Sequence, residues 1–150
     1  MKSYLEQLDR FTRLPAAERA FLIRAWLQLL ITDLELRLLP FNRILERYRG
    51  GSRAERAPYF RSEPIQASRA AWLVEVAGRY SPVRTHCLEQ ALALHHLLKR
   101  IGIETSLQIG VHRGEGDLRA HAWLEKEGEI IFGPPGRERY EPLDRGVRGG

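Results

Sequence analysis

The hydrophobic pattern of this chain changes its period at Gly102, and that change limits the folds open to it. Before Gly102, apolar residues recur every three or four positions, as in amphipathic helices. After Gly102 they alternate with polar residues, as in strands that bury one face. A run of helices followed by a run of strands predicts an α+β domain in which a helix packs on a small antiparallel sheet.

Four helices are predicted before Gly102. The first covers 16–39 and is expected to be well buried, and a shorter one near 42–48 leads to Gly50 and Gly51, where we place a boundary. Further helices are predicted at 65–80 and 86–100, and Cys87 stands at the start of the last. We interpret 1–150 as a single domain with an N-terminal helical segment, 1–50, and a core, 60–144.

Three strands are predicted after Gly102, at about 107–111, 118–125 and 129–132, with turns at 114–116 and at Glu127-Gly128. In the second strand, Ala122 and Leu124 belong to one face and His121 to the other. The chain from Gly133 onward is rich in turn residues and polar, and we expect its last residues to be frayed.

Composition narrows the class of protein. The 150 residues contain one cysteine, Cys87, which excludes an intramolecular disulfide and a thiolate metal cluster. The first residues lack a signal-peptide pattern, and charges interrupt the most apolar stretch, 25–39, so we expect a cytoplasmic protein without a membrane partner. The net charge of +5 permits anionic partners, but without a nucleic-acid motif we predict no nucleic-acid binding. No motif implies a cofactor.

The position of Cys87 favours a chemical role. A helix N-terminus presents unpaired N–H groups and partial positive charge, which stabilise a thiolate and can hold an oxyanion. Such a cysteine becomes a nucleophile when an imidazole lies within hydrogen-bond reach, and His121, on the second strand, is the best candidate base. A free cysteine is also often a small buried hydrophobe. The residues alone leave these two interpretations evenly balanced.

The other histidines are weaker candidates. His86 precedes the nucleophile and is expected to cap or shield it, whereas His95 and His96 lie two or more turns along the helix, too far to activate it. His112 ends a strand beside a glycine turn. Because His95, His96 and His112 lack ligand spacing and carboxylate support, no metal site is predicted.

A family resemblance rests on the stretches THCLEQALALHHLLKRIGIETSLQIGVHRG and LRAHAWLEKEGEII, with LIRAWLQLLITDLELRLLPF in the first helix. Together they resemble the lasso peptide leader peptidase, the peptidase half of the split lasso peptide maturation protein B, over about 14–135. The resemblance implies a transglutaminase-like (papain-like) cysteine peptidase core at 60–144, with Cys87 and His121 in a Cys-His-Asp site and no cofactor. It also implies removal of the leader from a ribosomally made precursor, a small leader-recognition protein, and a separate lasso cyclase.

The third member of the site is unknown. In the family an aspartate follows the histidine by about a dozen residues, where this chain has Gly133 and Pro134. Pairing through the Glu127-Gly128 turn predicts Pro134 opposite His121, with Gly133 next to it and no carboxylate in reach. Asp144 folding back from the tail, or a backbone carbonyl, remain as alternative groups that would orient the ring.

Other functions stay open. The absence of a carboxylate near Gly133 suggests a catalytically weak or inactive homologue that binds and presents the precursor. The same thiol would also serve a transglutaminase-like acyl transferase. We predict that the basic stretch from Arg43 to Arg69 meets the complex of partner and leader, although a solvated connector explains those arginines equally well.

Overall fold

The computed structural model describes residues 2–49, 65–114, 116–133 and 141–142. In these ranges five helices precede four strands: α1 (Lys2–Thr12), α2 (Ala16–Leu38), α3 (Phe41–Arg49), α4 (Ala67–Arg79), α5 (Cys87–Arg100), β1 (Ser106–Gly114), β2 (Asp117–Lys126), β3 (Glu129–Phe132) and β4 (Glu141–Pro142). The strands form one sheet in the order β3-β2-β1-β4, and all neighbours are antiparallel. The predicted α+β class is confirmed.

Helix α2 is shorter and less buried than the sequence suggested. It begins after Pro15 and ends at Leu38, because Pro40 forces Leu39 into an extended conformation. One face buries Phe21, Ala25, Gln28, Leu29 and Thr32. The opposite face exposes about half or more of each of five aliphatic side chains, Ile23, Leu27, Ile31, Leu34 and Leu38. The prediction of a well-buried helix is therefore wrong for that face, and α1 was not predicted at all.

Beside a smaller cluster of Ile44, Tyr48 and Leu92, a large apolar core joins α2, α4 and α5 to the sheet. Its members come from α2, α4, α5 and the inner faces of β1, β2 and β3, and include Phe21, Leu29, Leu73, Val74, Leu94, Leu98, Ile109, Ala122, Leu124 and Phe132. In β2, Ala122 and Leu124, which the alternation assigned to the inner face, are buried, and so is Trp123, which the alternation assigned to the face of His121. Helix α5 thus packs on the sheet with its first residue, Cys87, free of that core.

Polar side chains fasten α3 to α2. The Tyr48 hydroxyl donates to Glu35 Oε2 at 3.1 Å and lies 3.3 Å from Thr32 Oγ1. Burial raises the pKa of Tyr48 to about 12. Arg47 adds an ion pair to Glu35 at 2.9 Å. Helices α2 and α3 therefore pack on α5 through apolar contacts and are tied to each other by hydrogen bonds.

The β2–β3 hairpin contains a bulge that sequence spacing did not reveal. Glu127 and Gly128 both have positive φ, 53° and 84°, as a two-residue hairpin turn requires, and Lys126 pairs with Glu129 as predicted. A shift between Leu124 and Glu125 then pairs Leu124 with Phe132. The predicted register is wrong by one residue beyond this point.

Strand β4 lies in the turn-rich region after Gly133 and was not predicted. Glu141 and Pro142 pair with Val111 and Gly110 of β1. Two residues are too few to show alternation, and proline is accepted only at a sheet edge, where β4 lies. Strand β4 thereby covers the edge of β1 at Gly110, the residue that lies opposite His121.

Among the residues described, no helix is both long and apolar enough to cross a membrane.

Candidate active site

Helix α5 begins at Cys87, and its start is fixed by its own first turn. His86, the N-cap residue, is extended, with φ −93° and ψ 179°. The Glu89 carboxylate accepts the backbone N–H of His86 at 2.9 Å. A carboxylate at this position also complements the positive end of the helix dipole. The sequence analysis missed Glu89, although the spacing of the N-cap residue and an acidic residue three positions later is a known capping signal.

His121 is held by the backbone of β2. Its Cα lies opposite Gly110 of β1, and the next residue, Ala122, is buried in the core shared with α5. The His121 side chain is half-buried, so its ring is supported and still reachable. The position of the ring therefore follows from strand register and core packing.

The structure brings the two predicted site residues together. Cys87 Sγ lies 3.7 Å from His121 Nδ1, a separation at which a sulfur and a ring nitrogen share one proton. The thiol is half-buried. Because Nδ1 faces the sulfur, a group that orients the ring would contact Nε2. A thiol from α5 and an imidazole from β2 are therefore in contact.

Gly133 stands where the family pattern has an aspartate, and its surroundings explain why it has no side chain. Its φ is 141°, and a Cβ built on it would clash with the Trp123 Cβ and lie 3.2 Å from the Trp123 Cα. The backbone of Gly133 is pressed against β2. No side chain, and so no carboxylate, fits at this position.

The alternative Asp144 lies outside the described residues. Strand β4 ends at Pro142, which pairs with Gly110, and Gly110 pairs with His121 on its other side. Two strand spacings, about 10 Å, therefore separate the backbone of Pro142 from that of His121. At that distance the backbone of Pro142 does not contact the His121 ring.

The histidines of α5 have structural contacts. His95 is buried: its Nε2 donates to the Tyr48 carbonyl at 3.1 Å, so Nδ1 accepts from the Thr105 hydroxyl at 2.7 Å. Burial is the main reason why its pKa is lowered. His96 packs edge-on against Tyr48 with ring centroids 6.0 Å apart. Both lie away from Cys87, and no cluster of three or more metal-binding side chains occurs within the described parts of the chain.

Two open clefts, of about 690 and 520 Å³, lie at the other end of the sheet. Both are lined by Ile103, Lys126 and Glu127, and neither by Cys87 or His121. The thiol and the imidazole therefore lie outside both clefts.

A thiol on the first residue of a helix, facing an imidazole on an antiparallel sheet, defines the papain-like class of thiol enzymes. Residues 25–145 match the family model described as "Transglutaminase-like superfamily", and the chain belongs to that superfamily. The match covers both Cys87 and His121. No curated protein and no solved structure matches the chain. The predicted transglutaminase-like fold is confirmed, and the superfamily is consistent with cysteine peptidase or acyltransferase activity.

Proposed function

We propose that this chain is a cysteine endopeptidase that removes the leader from a ribosomally synthesised lasso precursor peptide. The observation that carries the proposal is the 3.7 Å separation of Cys87 Sγ and His121 Nδ1 in a chain of this superfamily. The choice of substrate rests on the sequence resemblance around those two residues. In this proposal Cys87 is the nucleophile and His121 the general base.

The first half of the proposed reaction makes a thioester. His121 Nδ1 takes the thiol proton, and the Cys87 sulfur attacks the carbonyl carbon of the last leader residue. In this proposal backbone N–H groups at the start of α5 donate to the resulting oxyanion. The imidazolium then gives its proton to the leaving nitrogen as the C–N bond breaks. The core peptide leaves with a free amino terminus, and the leader stays bound to sulfur.

The second half hydrolyses the thioester. His121 takes a proton from water, the hydroxide oxygen attacks the same carbon, and the C–S bond breaks with return of the proton to sulfur. The leader departs with a free carboxylate, and no cofactor enters either half. A group that bonds Nε2 would orient the ring and speed both halves.

Two alternatives share this site. In a transglutaminase-like acyl transferase an amine takes the acyl group from the thioester, and superfamily membership supports this chemistry equally. In a weak or inactive homologue the site binds and presents the precursor, which the absence of a carboxylate at Gly133 favours.

The proposal includes two partner proteins, a small leader-recognition protein and a lasso cyclase. The predicted docking stretch, Arg43 to Arg69, falls mostly outside the described residues. Two arginines within the described part are engaged with acidic residues of α2: Arg47 pairs with Glu35, and Arg69 with Glu18. These contacts support the interpretation in which Arg47 and Arg69 do not dock a partner. Arg53 and Arg56 are therefore the arginines to test for docking.

The test is incubation with the matched precursor, with and without the recognition protein and an added primary amine, followed by mass spectrometry. The proposal predicts free leader and free core, with water as the acceptor in the presence of amine. A leader–amine conjugate as the main product would establish the transferase instead. Precursor that binds and stays intact would establish the presenting homologue.

A further inference from the structure

The loop that leads into the nucleophile is held by a glutamine one helical turn beyond it. Gln90 Nε2 lies 3.2 Å from Thr85 Oγ1 and 3.4 Å from the Thr85 carbonyl oxygen. Both side chains are half-buried. The amide of Gln90 thus reaches back past Cys87 and donates to the residue two positions before it.

Gly78, near the end of α4, makes room for this contact. A Cβ at position 78 would lie 2.6 Å from Gln90 Nε2 and 3.0 Å from Thr85 Oγ1. Such distances require the glutamine amide to move away from its acceptors. Because Gly78 has no side chain, three segments meet closely at this point: the end of α4, the loop before Cys87, and the first turn of α5.

The neighbouring residue is fastened in the same way, since Glu89 accepts the backbone N–H of His86 at 2.9 Å. Thr85 and His86, the two residues before Cys87, are each bonded by a side chain from the first turn of α5. The direction of the Cys87 side chain depends on the backbone at this junction. A small rotation there would move Sγ out of its 3.7 Å contact with His121 Nδ1.

We propose that Gln90 is a positioning residue that keeps the Cys87 thiol aimed at His121, with Gly78 as the space that permits it. The catalytic meaning of this role rests on the function proposed above. The alignment of the Cys87 thiol with the His121 imidazole can be tested without any substrate.

The first test compares Gln90→Leu with the wild-type protein. Leucine keeps most of the volume and loses the amide donor, so the thiol should drift from the imidazole. Alkylation of Cys87 by iodoacetamide at pH 7 should slow on the order of ten- to a hundredfold, and its pH profile should move to higher pH. In precursor cleavage kcat should fall by a similar factor with KM unchanged.

The matched control is Gln108→Leu. Gln108 also donates its amide to a hydroxyl, Ser106 Oγ at 2.9 Å, but on β1, away from the start of α5. This variant should alkylate with the wild-type rate and pH profile. Circular dichroism and thermal unfolding of each variant confirm that only folded proteins are compared.

A second variant keeps the inference testable if Gln90→Leu unfolds. Gly78→Ala leaves every hydrogen-bonding group in place and favours helix, so it should fold, yet it should slow alkylation as Gln90→Leu does. In a Gln90→Ala background the contacts with the glutamine amide are gone and only the 3.0 Å contact with Thr85 Oγ1 remains, so adding Gly78→Ala should slow alkylation far less than it does in the wild-type background. Additive effects of the two substitutions would overturn the role given to Gly78.

Failures of the two proposals are distinguishable. Wild-type alkylation rate and pH profile in both Gln90→Leu and Gly78→Ala overturn the positioning role, and leave peptidase activity to be judged on the precursor. Slow alkylation of these variants, beside a wild-type protein that leaves every precursor intact, supports the positioning role and overturns the peptidase.

Discussion

Gly133 and Trp123 approach so closely that no side chain fits between their backbones, at the position where a carboxylate would be expected to support His121. The glycine is required by packing, because its φ of 141° and the clash with the Trp123 Cβ both exclude other residues. Restoring the family's aspartate at this position should therefore not restore a triad.

The first prediction follows from that contact. Gly133→Asp and Gly133→Ala should both lower the free energy of unfolding by about 1–3 kcal/mol, and neither should accelerate cleavage. Gly128→Ala is the matched control: its φ is also positive, at 84°, but its Cβ would meet nothing within 4 Å, so it should cost about 1 kcal/mol or less. Chemical denaturation measures all three. A Gly133→Asp variant that is stable and faster would contradict the packing argument.

The second prediction concerns pH and His95. Burial lowers the pKa of His95, so between that lowered value and its ordinary value of about 6.5 the unfolded chain binds more protons than the folded one. Stability should rise with pH across this window and be lost as pH falls below about 6.5. His95→Gln should remove part of the slope between pH 7.5 and 5.5, measured by urea unfolding. His96→Gln, one residue along, should keep it, and an equal slope in wild type and His95→Gln would refute the assignment.

The third prediction concerns the contact between α2 and α4. Arg69 makes two 2.9 Å bonds to Glu18 and lies 4.2 Å from the centre of the Trp72 ring. The hydrogen bond from Arg69 is the main reason why the pKa of Glu18 is lowered. Because Arg69 is 41% exposed, Arg69→Met should cost only about 0.5–1 kcal/mol.

Arg69→Lys should not recover that loss, because an ammonium cannot bond both carboxylate oxygens in the plane of a guanidinium. The control is Arg13→Met, whose pair with Asp9 is more exposed, at 76% and 57%, and should contribute almost nothing. Urea midpoints compare the three variants. Equal losses at Arg13 and Arg69 would show that the bidentate geometry and the tryptophan add nothing.

The sequence was sufficient for the parts of the fold that depend on local periodicity. It placed Cys87 at a helix start and His121 on a strand, and it identified the face of β2 that carries Ala122 and Leu124. The bulge beside Leu124 was not predicted, because it depends on pairing with β3 and does not change the hydrophobic alternation of β2. Strand β4 was not predicted because two residues are too few to show an alternating pattern.

The supporting contacts of the site were harder to predict. Glu89 had a recognisable capping spacing, whereas the bond from Gln90 to Thr85 exists only because Gly78 comes close to both from another helix. The buried role of His95 depends on Thr105 and on the backbone of Tyr48, which are distant in sequence. Contacts of this kind are set by how helices pack, which a single sequence does not state.

The fourth prediction tests the thiol and its base without substrate. Cys87 should react readily with iodoacetamide near neutral pH, and His121→Ala should move that reactivity to higher pH, because the thiolate loses the imidazolium beside it. His96→Ala is the control, since His96 packs against Tyr48, away from Cys87. Slow labelling with the same pH profile in the wild-type protein and in His121→Ala would indicate a structural thiol.

The most direct measurement is mass spectrometry of the matched precursor after incubation with wild-type protein and with Cys87→Ala. One sulfur at a helix start contributes little to packing, so the variant should fold and bind the precursor as the wild type does. The account predicts separate leader and core peptides with the wild type and intact precursor with Cys87→Ala. Cleavage by Cys87→Ala at the wild-type rate would contradict the assignment of Cys87 as the nucleophile.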